Sequence, residues 1–558
     1  MSLKSEFPDV EIGQRPFGEV MLDALWKHSV DMPGKVALVN GEDPSHRATY
    51  SDVYVQCLSV ASFLNSRHFG HGDVACVVAP NCLEFFPIVC GITLTGGAMS
   101  GAGVAFTEFE LSRQFQDCGA KLVFAHSSVL ETTLKAAKKC PKITTIIAIP
   151  ARNQSTSDLP FGVISYTDAT SFQPNMYRPR VDIDVNRDVA LLPYSSGTTG
   201  APKGVMLSHK NLVTQINQVH SHFTEHLLPR IDPIRDVREE ADLLFLPFYH
   251  IYGFSTITNN LFMGATGVVL SKFDHDTFCR SIQDFKVRFL KVVPPIVLFL
   301  AKHPTARKYD LSSVKVLMTA AAPAGKEICE EVMKGIPSIE HVVQSYGMTE
   351  VSSGSHLAYI GKDAKFGNCG KLISNLEQKI SDPETGKDLG VGQRGEVCIR
   401  GPTLMMGYLN RPQATAEMID DQGWLHTGDV GYVDENGYLY IVDRLKELIK
   451  VKGLQVPPAE LEDLLLTHPK IQDAAVIGIP HEKDGEHPLA FVVRSDESLK
   501  EQEVMDFVKE RVSHYKQLKG GVVFIREIPK APSGKILRRF LRDEAEAIRR
   551  AGSQNAKL

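Results

Sequence analysis

Apolar positions along this chain recur in two rhythms that alternate. Short apolar runs at Val36–Val39 and Val74–Val78 predict strands, and the spacing across Tyr54–Ser66 predicts a helix between them. Farther on, Leu243–Leu246 reads as a buried strand leading into a loop. Leu290–Val293 is a strand followed by the helix Pro295–Lys302. Val314–Thr319 is a strand, Gly325–Lys334 an amphipathic helix, and His341–Gln344 another strand. Strand–helix–strand at this spacing predicts parallel α/β sheets.

From about Gly395 the text shortens into turn-rich segments, GQRGEVCIRG and DENGYLYIVD, as in antiparallel hairpins. After Asp443 the organisation restarts. The run RLKELIKVKG is too charged for a core helix. It precedes the helix Pro458–Leu466, strands near Ala474–Ile479 and Leu489–Val493, the helix Glu501–His514 and a strand at Val522–Ile525. These suffice for a small α+β domain, so two domains are expected, 1–443 and 444–558; a chain of 558 residues exceeds what one core usually supports.

Composition narrows the classes. With 43% hydrophobic and 23% charged residues the chain is ordinary for a globular protein. A net charge of −5 with no basic tract argues against nucleic acid as a partner. Ten cysteines lack any C-x-x-C pair, which disfavours disulfide frameworks and zinc ribbons and fits a reducing compartment. The amino terminus carries no apolar run of a signal peptide. The uncharged stretch between Glu84 and Glu108 is Gly-, Ser- and Ala-rich in its second half; it reads as a buried helix at Phe85–Leu94 and a turn, not a transmembrane segment. The final Ala556-Lys557-Leu558 resembles a Ser-Lys-Leu peroxisomal address read by an import receptor, carried on a flexible AGSQN arm, with the cytoplasm as the alternative location.

The first motif with chemistry is Tyr194-Ser195-Ser196-Gly197-Thr198-Thr199-Gly200-Ala201-Pro202-Lys203-Gly204. Its glycines permit turns that expose N–H groups, and its hydroxyls and lysine add donors, so the segment can wrap a polyphosphate. It is not a Walker A loop, because Pro202 and Gly204 stand where that pattern needs Gly and Ser or Thr.

Four further motifs follow in order: Gln344-Ser345-Tyr346-Gly347-Met348-Thr349-Glu350, Trp424-Leu425-His426-Thr427-Gly428-Asp429, Asp443-Arg444-Leu445-Lys446-Glu447-Leu448-Ile449-Lys450, and Pro532-Ser533-Gly534-Lys535-Ile536. Together with the first, they resemble the adenylate-forming superfamily over nearly the whole chain, most closely its 4-coumarate–CoA ligase and luciferase branch. The resemblance implies an α/β chain: a large N-terminal domain of parallel sheets packed with helices plus a β-barrel-like subdomain, and a small mobile α+β C-terminal domain. It also implies an acid–thiol ligase that uses ATP, Mg²⁺ and coenzyme A to convert a carboxylic acid through an acyl-adenylate.

The resemblance assigns a task to each position. Carboxylate attack on an α-phosphate joins two anions, so cations and donors must offset the charge. Lys535 would sit at that phosphate, with His250 at the mouth of the acyl site and Lys450 serving the thioester step as the remaining catalytic candidates. ATP or AMP would be held by Ser195, Ser196, Gly197, Thr198, Thr199, Lys203, Ala321, Gln344, Ser345, Tyr346, Thr349, Asp429 and Arg444. Glu350 would hold Mg²⁺ as a hard oxygen ligand. Tyr252, Thr256 and Ala320 would line the acyl-adenylate pocket, Lys446 would be the hinge, and Lys272, Lys452 and Gly453 would meet coenzyme A.

Ser345 and Ala320 depart from the Gly usual in that branch, which implies a differently shaped cavity. A hydroxycinnamate, a medium-chain fatty acid and an acid with an unusual side chain all stay open. Luciferase-type oxygenation of an adenylated substrate is the alternative activity.

Overall fold

The computed structural model describes residues 2–151, 159–174, 181–195, 202–452, 454–481, 483–531 and 534–555. Continuous apolar runs become the central strands. Val189–Leu191, Ala98–Ala102, Val74–Val78, Leu122–His126, Thr145–Ile149 and Val163–Ser165 lie side by side in parallel. Both faces are covered by helices, which is why their residues are apolar without alternation. The helix Phe85–Leu94 is buried at every position, and no described helix is long and apolar enough to cross a membrane.

A second sheet orders Ala241–Leu244, Thr266–Val269, Val36–Asn40 and Arg47–Thr49, the first three parallel. A third, wholly parallel, joins Phe289–Val292, Val316–Thr319 and His341–Gln344. The expected strand Leu243–Leu246 is corrected to Ala241–Leu244. Beyond Leu244 the Asn81 side chain takes the place of a sheet neighbour. Its Nδ2 donates to Leu246 O at 2.9 Å, and its Oδ1 accepts from Phe248 N–H at 2.9 Å. That exchange turns the chain out of the sheet and into the loop carrying His250.

The turn-rich text after Leu372 becomes a five-stranded antiparallel sheet: Leu3–Lys4, Glu377–Ser381, Gly395–Arg400, Leu425–Val433 and Leu439–Arg444. A three-stranded sheet, Tyr346–Met348, Ser353–Leu357 and Lys371–Leu372, meets its edge at the bridge Lys371–Tyr438. The strands curl around one core that includes Val351, Ile373, Val397 and Leu439, the barrel-like element expected from the resemblance.

Residues after Ile449 build apolar clusters of their own, one around Val451, Leu461, Val476 and Val492, the other around Ile477, Phe491 and Leu541. The charged run RLKELIKVKG contains a strand, Ile449–Val451, that pairs with Leu454–Val456; Ile449 and Val451 point inward and Lys450 outward. The expected helix Glu501–His514 stops at Lys509, where Arg511 N–H closes an i→i+3 bond to Val508 O and tightens the last turn. The expected flexible arm at 551–555 is also corrected, because the helix Arg538–Asn555 runs through it. The terminal Ala556-Lys557-Leu558 lies outside the described residues.

Candidate active site

Where the parallel strands end, their loops face the antiparallel strands and the turn bearing Lys535. A cavity of about 460 Å³ opens there, with a second of about 400 Å³ beside it; Ala321, Ser345, Tyr346, Gly347, Arg444 and Lys535 line both. Loops at the carboxyl ends of strands are where open α/β sheets place ligands.

Two of those loops are held in unusual geometry. Ala321, after Val316–Thr319, has φ +76, a left-handed conformation that costs energy for a residue with a Cβ. The Gln344 side chain fixes this loop by bonding both backbone groups of Ala324, at 3.1 and 3.3 Å. Gln344 thus shapes a loop that lines both cavities, and its amide is already engaged. The Ser345 hydroxyl accepts from Ala358 N–H at 3.1 Å. At Gly347, a Cβ would meet Ser353 O at 1.9 Å, so only glycine lets these strands approach.

Asp429 is a buried carboxylate of the site. The Tyr346 hydroxyl donates to its Oδ2 at 2.7 Å, and Arg444, opposite it in the sheet register, reaches Oδ1 from Nε at 3.2 Å. Burial and the nearby Asp429 raise the Tyr346 phenol well above its ordinary range, so it stays a donor. Glu396, which sequence reading missed, supports the same turn. Its Oε1 accepts from Gly428 N–H at 3.0 Å and its Oε2 bonds His426 Nδ1 at 2.8 Å.

Glu350 sits in the short helix Thr349–Val351 and accepts from the Tyr408 hydroxyl at 2.8 Å. Tyr408 in turn carries Lys203 over its ring, 4.8 Å from the centroid. Lys203 pairs with Ser195 across an antiparallel ladder, and both line the larger cavity. Ser196, Gly197, Thr198, Thr199, Gly200 and Ala201 lie outside the described residues, as do Gly453, Pro532 and Ser533. Tyr408 was not foreseen either; nothing local to its sequence marks it.

Lys535 follows Gly534, at φ +81, where an added Cβ would come within 3.0 Å of Pro295 Cδ and 3.4 Å of Val293 Cβ. Burial and the Arg444 charge lower its ammonium to about 8, against the pull of Asp429, Glu350 and Glu447. His250 caps the helix Ile251–Met263, and burial with the Lys535 charge pushes its imidazole down to about 4. Tyr252, Thr256 and Ala320 line the larger cavity beside it, and Lys446 stands at its rim. Lys450, Lys452 and Lys272 are exposed and line neither cavity; Lys452 pairs with Asp484 at 3.5 Å.

Residues 25–409 match the family model of the AMP-binding enzymes, and 460–535 that of the AMP-binding enzyme C-terminal domain. The chain belongs to the AMP-binding enzyme family. Among curated relatives of this AMP-binding enzyme, 4-coumarate:CoA ligase 1 of Petunia hybrida is 41% identical, over 97% of this chain and 96% of that protein. 4-Coumarate–CoA ligase 1 of Arabidopsis thaliana is 39% identical over 97% and 94%. Among solved structures, ATP-bound MatB from Rhodopseudomonas palustris superposes with TM-score 0.80 at 27% identity, covering 94% of this chain and 99% of that one. The o-succinylbenzoate CoA synthetase of Bacillus subtilis with its acyl-adenylate intermediate gives 0.76 at 25%, covering 94% and 98%.

Proposed function

We propose that this AMP-binding enzyme is an ATP-dependent acid–CoA ligase: it joins a carboxylic acid to ATP as an acyl-adenylate, releasing pyrophosphate, and then passes the acyl group to coenzyme A, releasing AMP. The observation that carries this reading is the placement of Lys535 where both cavities meet, among Arg444, Asp429 and Glu350.

Attack of the acid on the α-phosphate concentrates negative charge, which the Lys535 ammonium offsets from a site partly shielded from water. The Thr349 hydroxyl donates to the same phosphate. Lys203 and Ser195, with the segment 196–201, meet the outer phosphates. Asp429, oriented by Tyr346 and Arg444, accepts from the ribose hydroxyls. Glu350 offers a buried carboxylate oriented by Tyr408, a donor set of hard oxygen that suits Mg²⁺. The ion would offset phosphate charge there.

For the second step, the part of the 444–558 domain beyond Lys446 rotates about that residue. This withdraws Lys535 and turns the hairpin carrying Lys450 and Lys452 towards the cavity, with Lys272 meeting the phosphates of coenzyme A. The rotation accounts for the distance of these lysines from the cavity in the present arrangement. The acid is hydroxycinnamate-like or fatty-like; the names of the curated relatives favour the former, and walls such as Phe223, Leu227, Met318 and Leu357 suit either.

The decisive assay is acid-dependent exchange of labelled pyrophosphate into ATP, followed by thioester formation on adding coenzyme A. Absence of exchange across a panel of aromatic and aliphatic acids would falsify the reading.

A further inference from the structure

Three donor side chains of different chemistry meet beside the larger cavity, on the sheet face opposite the core residues Val397, Ile399 and Leu425. Glu396 and Cys398 lie two apart on the strand Gly395–Arg400, and Cys398 stands opposite His426 of the strand Leu425–Val433. His426 Nδ1 lies 2.8 Å from Glu396 Oε2 and 3.6 Å from Cys398 Sγ. One donor atom from each of the three is within 4.8 Å of the other two. Cys398 is buried, whereas Glu396 and His426 line the cavity, which gives a path of entry.

The charges around this cluster are short of a cation. His426 Nε2 faces Asp420 Oδ2 at 3.5 Å, so one imidazole stands between two carboxylates. Among the described residues neither carboxylate pairs with a lysine or arginine. Lys379, opposite Cys398 in the next strand, pairs with Asp388 at 3.4 Å instead. The distances also fit an ion. In a tetrahedral zinc site, sulfur and nitrogen ligands stand about 3.6 Å apart, and nitrogen and oxygen about 3.4 Å. The first separation is already met, and the second needs an opening of about 0.6 Å.

We infer that Glu396, Cys398 and His426 form a site for a thiophilic divalent cation of the zinc class, separate from Glu350. Thiolate and carboxylate together neutralise such an ion. A sulfur–nitrogen–oxygen set also selects it over magnesium, which demands oxygen ligands. On binding, the Cys398 thiol gives its proton to water, and the imidazole bonds the ion through Nδ1. The ring proton is then on Nε2, towards Asp420, an outer carboxylate of the kind that orients metal-bound imidazoles. Glu396 Oε1 accepts from Gly428 N–H at 3.0 Å, so the ion ties this strand pair to the turn bearing Asp429.

Co²⁺ reports such a site, because a cobalt–thiolate bond absorbs in the near ultraviolet. The full chain, freed of metal with a chelator, is titrated with Co²⁺ in excess Mg²⁺. One equivalent should bind with that absorption, and Zn²⁺ should then displace it. Cys398→Ser should lose the absorption, and Asp420→Asn should weaken binding about ten- to 100-fold. Circular dichroism checks the fold of each variant; if Cys398→Ser does not fold, loss of the absorption in His426→Gln takes its place. No absorption in the wild type overturns the inference. So does absorption that persists in whichever of those two variants folds. The readout needs neither acid nor ATP, so it stands or falls apart from the ligase reading.

Discussion

The hydroxyl of Tyr346 donates to Asp429 Oδ2 at 2.7 Å, tying residues 83 positions apart across the floor of the cavity. The bond joins the strand Tyr346–Met348 to the long strand Leu425–Val433, and with Arg444 on the other oxygen it leaves the Asp429 carboxylate one orientation. A carboxylate that meets two ribose hydroxyls at once, as proposed for Asp429, depends on that orientation.

Tyr346→Phe should therefore raise KM for ATP about five- to tenfold while leaving KM for the acid and the fold nearly unchanged, the scale of one lost hydrogen bond to a charged group. Initial rates with each substrate varied in turn would show it. An equal rise in both constants would mean that the bond supports the whole floor, not Asp429 alone.

Lys535 gives a pH signature as well as a mutational one. Its ammonium is lowered to about 8, so the charged form needed for adenylation is lost as pH rises through that value. The kcat/KM of pyrophosphate exchange should fall on the alkaline side with a midpoint near 8, and the limb for kcat should lie higher, because bound phosphates favour the charged form. Lys535→Arg should remove the limb from the range below pH 10, since a guanidinium does not titrate there. Lys535→Ala should cost about 100-fold or more in adenylation yet leave conversion of preformed adenylate to thioester within a few-fold.

Gly347 is a steric requirement more than a flexible point. A Cβ there would lie 1.9 Å from Ser353 O and 2.7 Å from Gly354 Cα, both backbone atoms that cannot move aside singly. Gly347→Ala should lower stability by about 1–3 kcal/mol, read as a shift in denaturant midpoint, and should weaken ATP binding with it. Loss of affinity without loss of stability would place the strain elsewhere.

Lys446 stands between the paired Arg444 and the buried Glu447, which Arg542 of the last helix engages. Lys446→Pro fixes φ at the position proposed to absorb the rotation. Thioester formation should drop about tenfold or more while adenylation changes little, as single-turnover measurement of the two steps would show. Equal loss in both steps would remove Lys446 from the hinge role.

What the sequence made legible followed physical necessity. Val74–Val78, Phe85–Leu94 and His341–Gln344 end where their apolar runs end, because each is bounded by turn or charged residues and packed within the fold. Lys535, Asp429, Tyr346 and Glu350 could be named because the motifs that hold them resemble those of a known family, and the structure brings all four to the two cavities. Tyr408 and Glu396 could not. Tyr408 reaches Glu350 across 58 positions and Glu396 reaches Gly428 across 32, contacts set by strand register that no local pattern encodes. The helix Arg538–Asn555 was hidden for a different reason. Among the described residues its buried apolar positions are Leu541 and Ala545, one turn apart in a largely charged segment, too narrow a stripe for periodicity to reveal. Asn81 shows the reverse case, a single polar side chain displacing a strand that its apolar residues had signalled.

The contact between the C-terminal residues and the larger lobe should be sensitive to pH. Asp463, on the helix Pro458–Leu466, lies where a Cβ on Gly325 would come within 2.9 Å of its Oδ1. Burial, with the Glu462 and Glu327 charges facing it, raises its carboxyl to about 7 from an ordinary 3.8. Asp443, where Oδ2 accepts from Ala459 N–H, is raised to about 6, chiefly by burial. An acid with a raised value in the docked arrangement favours that arrangement fully below its ordinary value; the advantage is lost as pH rises through the raised one. Docking should thus weaken between about pH 4 and 7 and be weaker at pH 8 than at pH 6. Limited proteolysis after Arg444 would report this as faster cleavage at the higher pH. Asp463→Asn keeps a neutral side chain at every pH, so it should flatten the upper part of the dependence and leave a residual step near pH 6 from Asp443. If the variant kept the full dependence up to pH 8, Asp463 would not be the group that sets how firmly the two parts close.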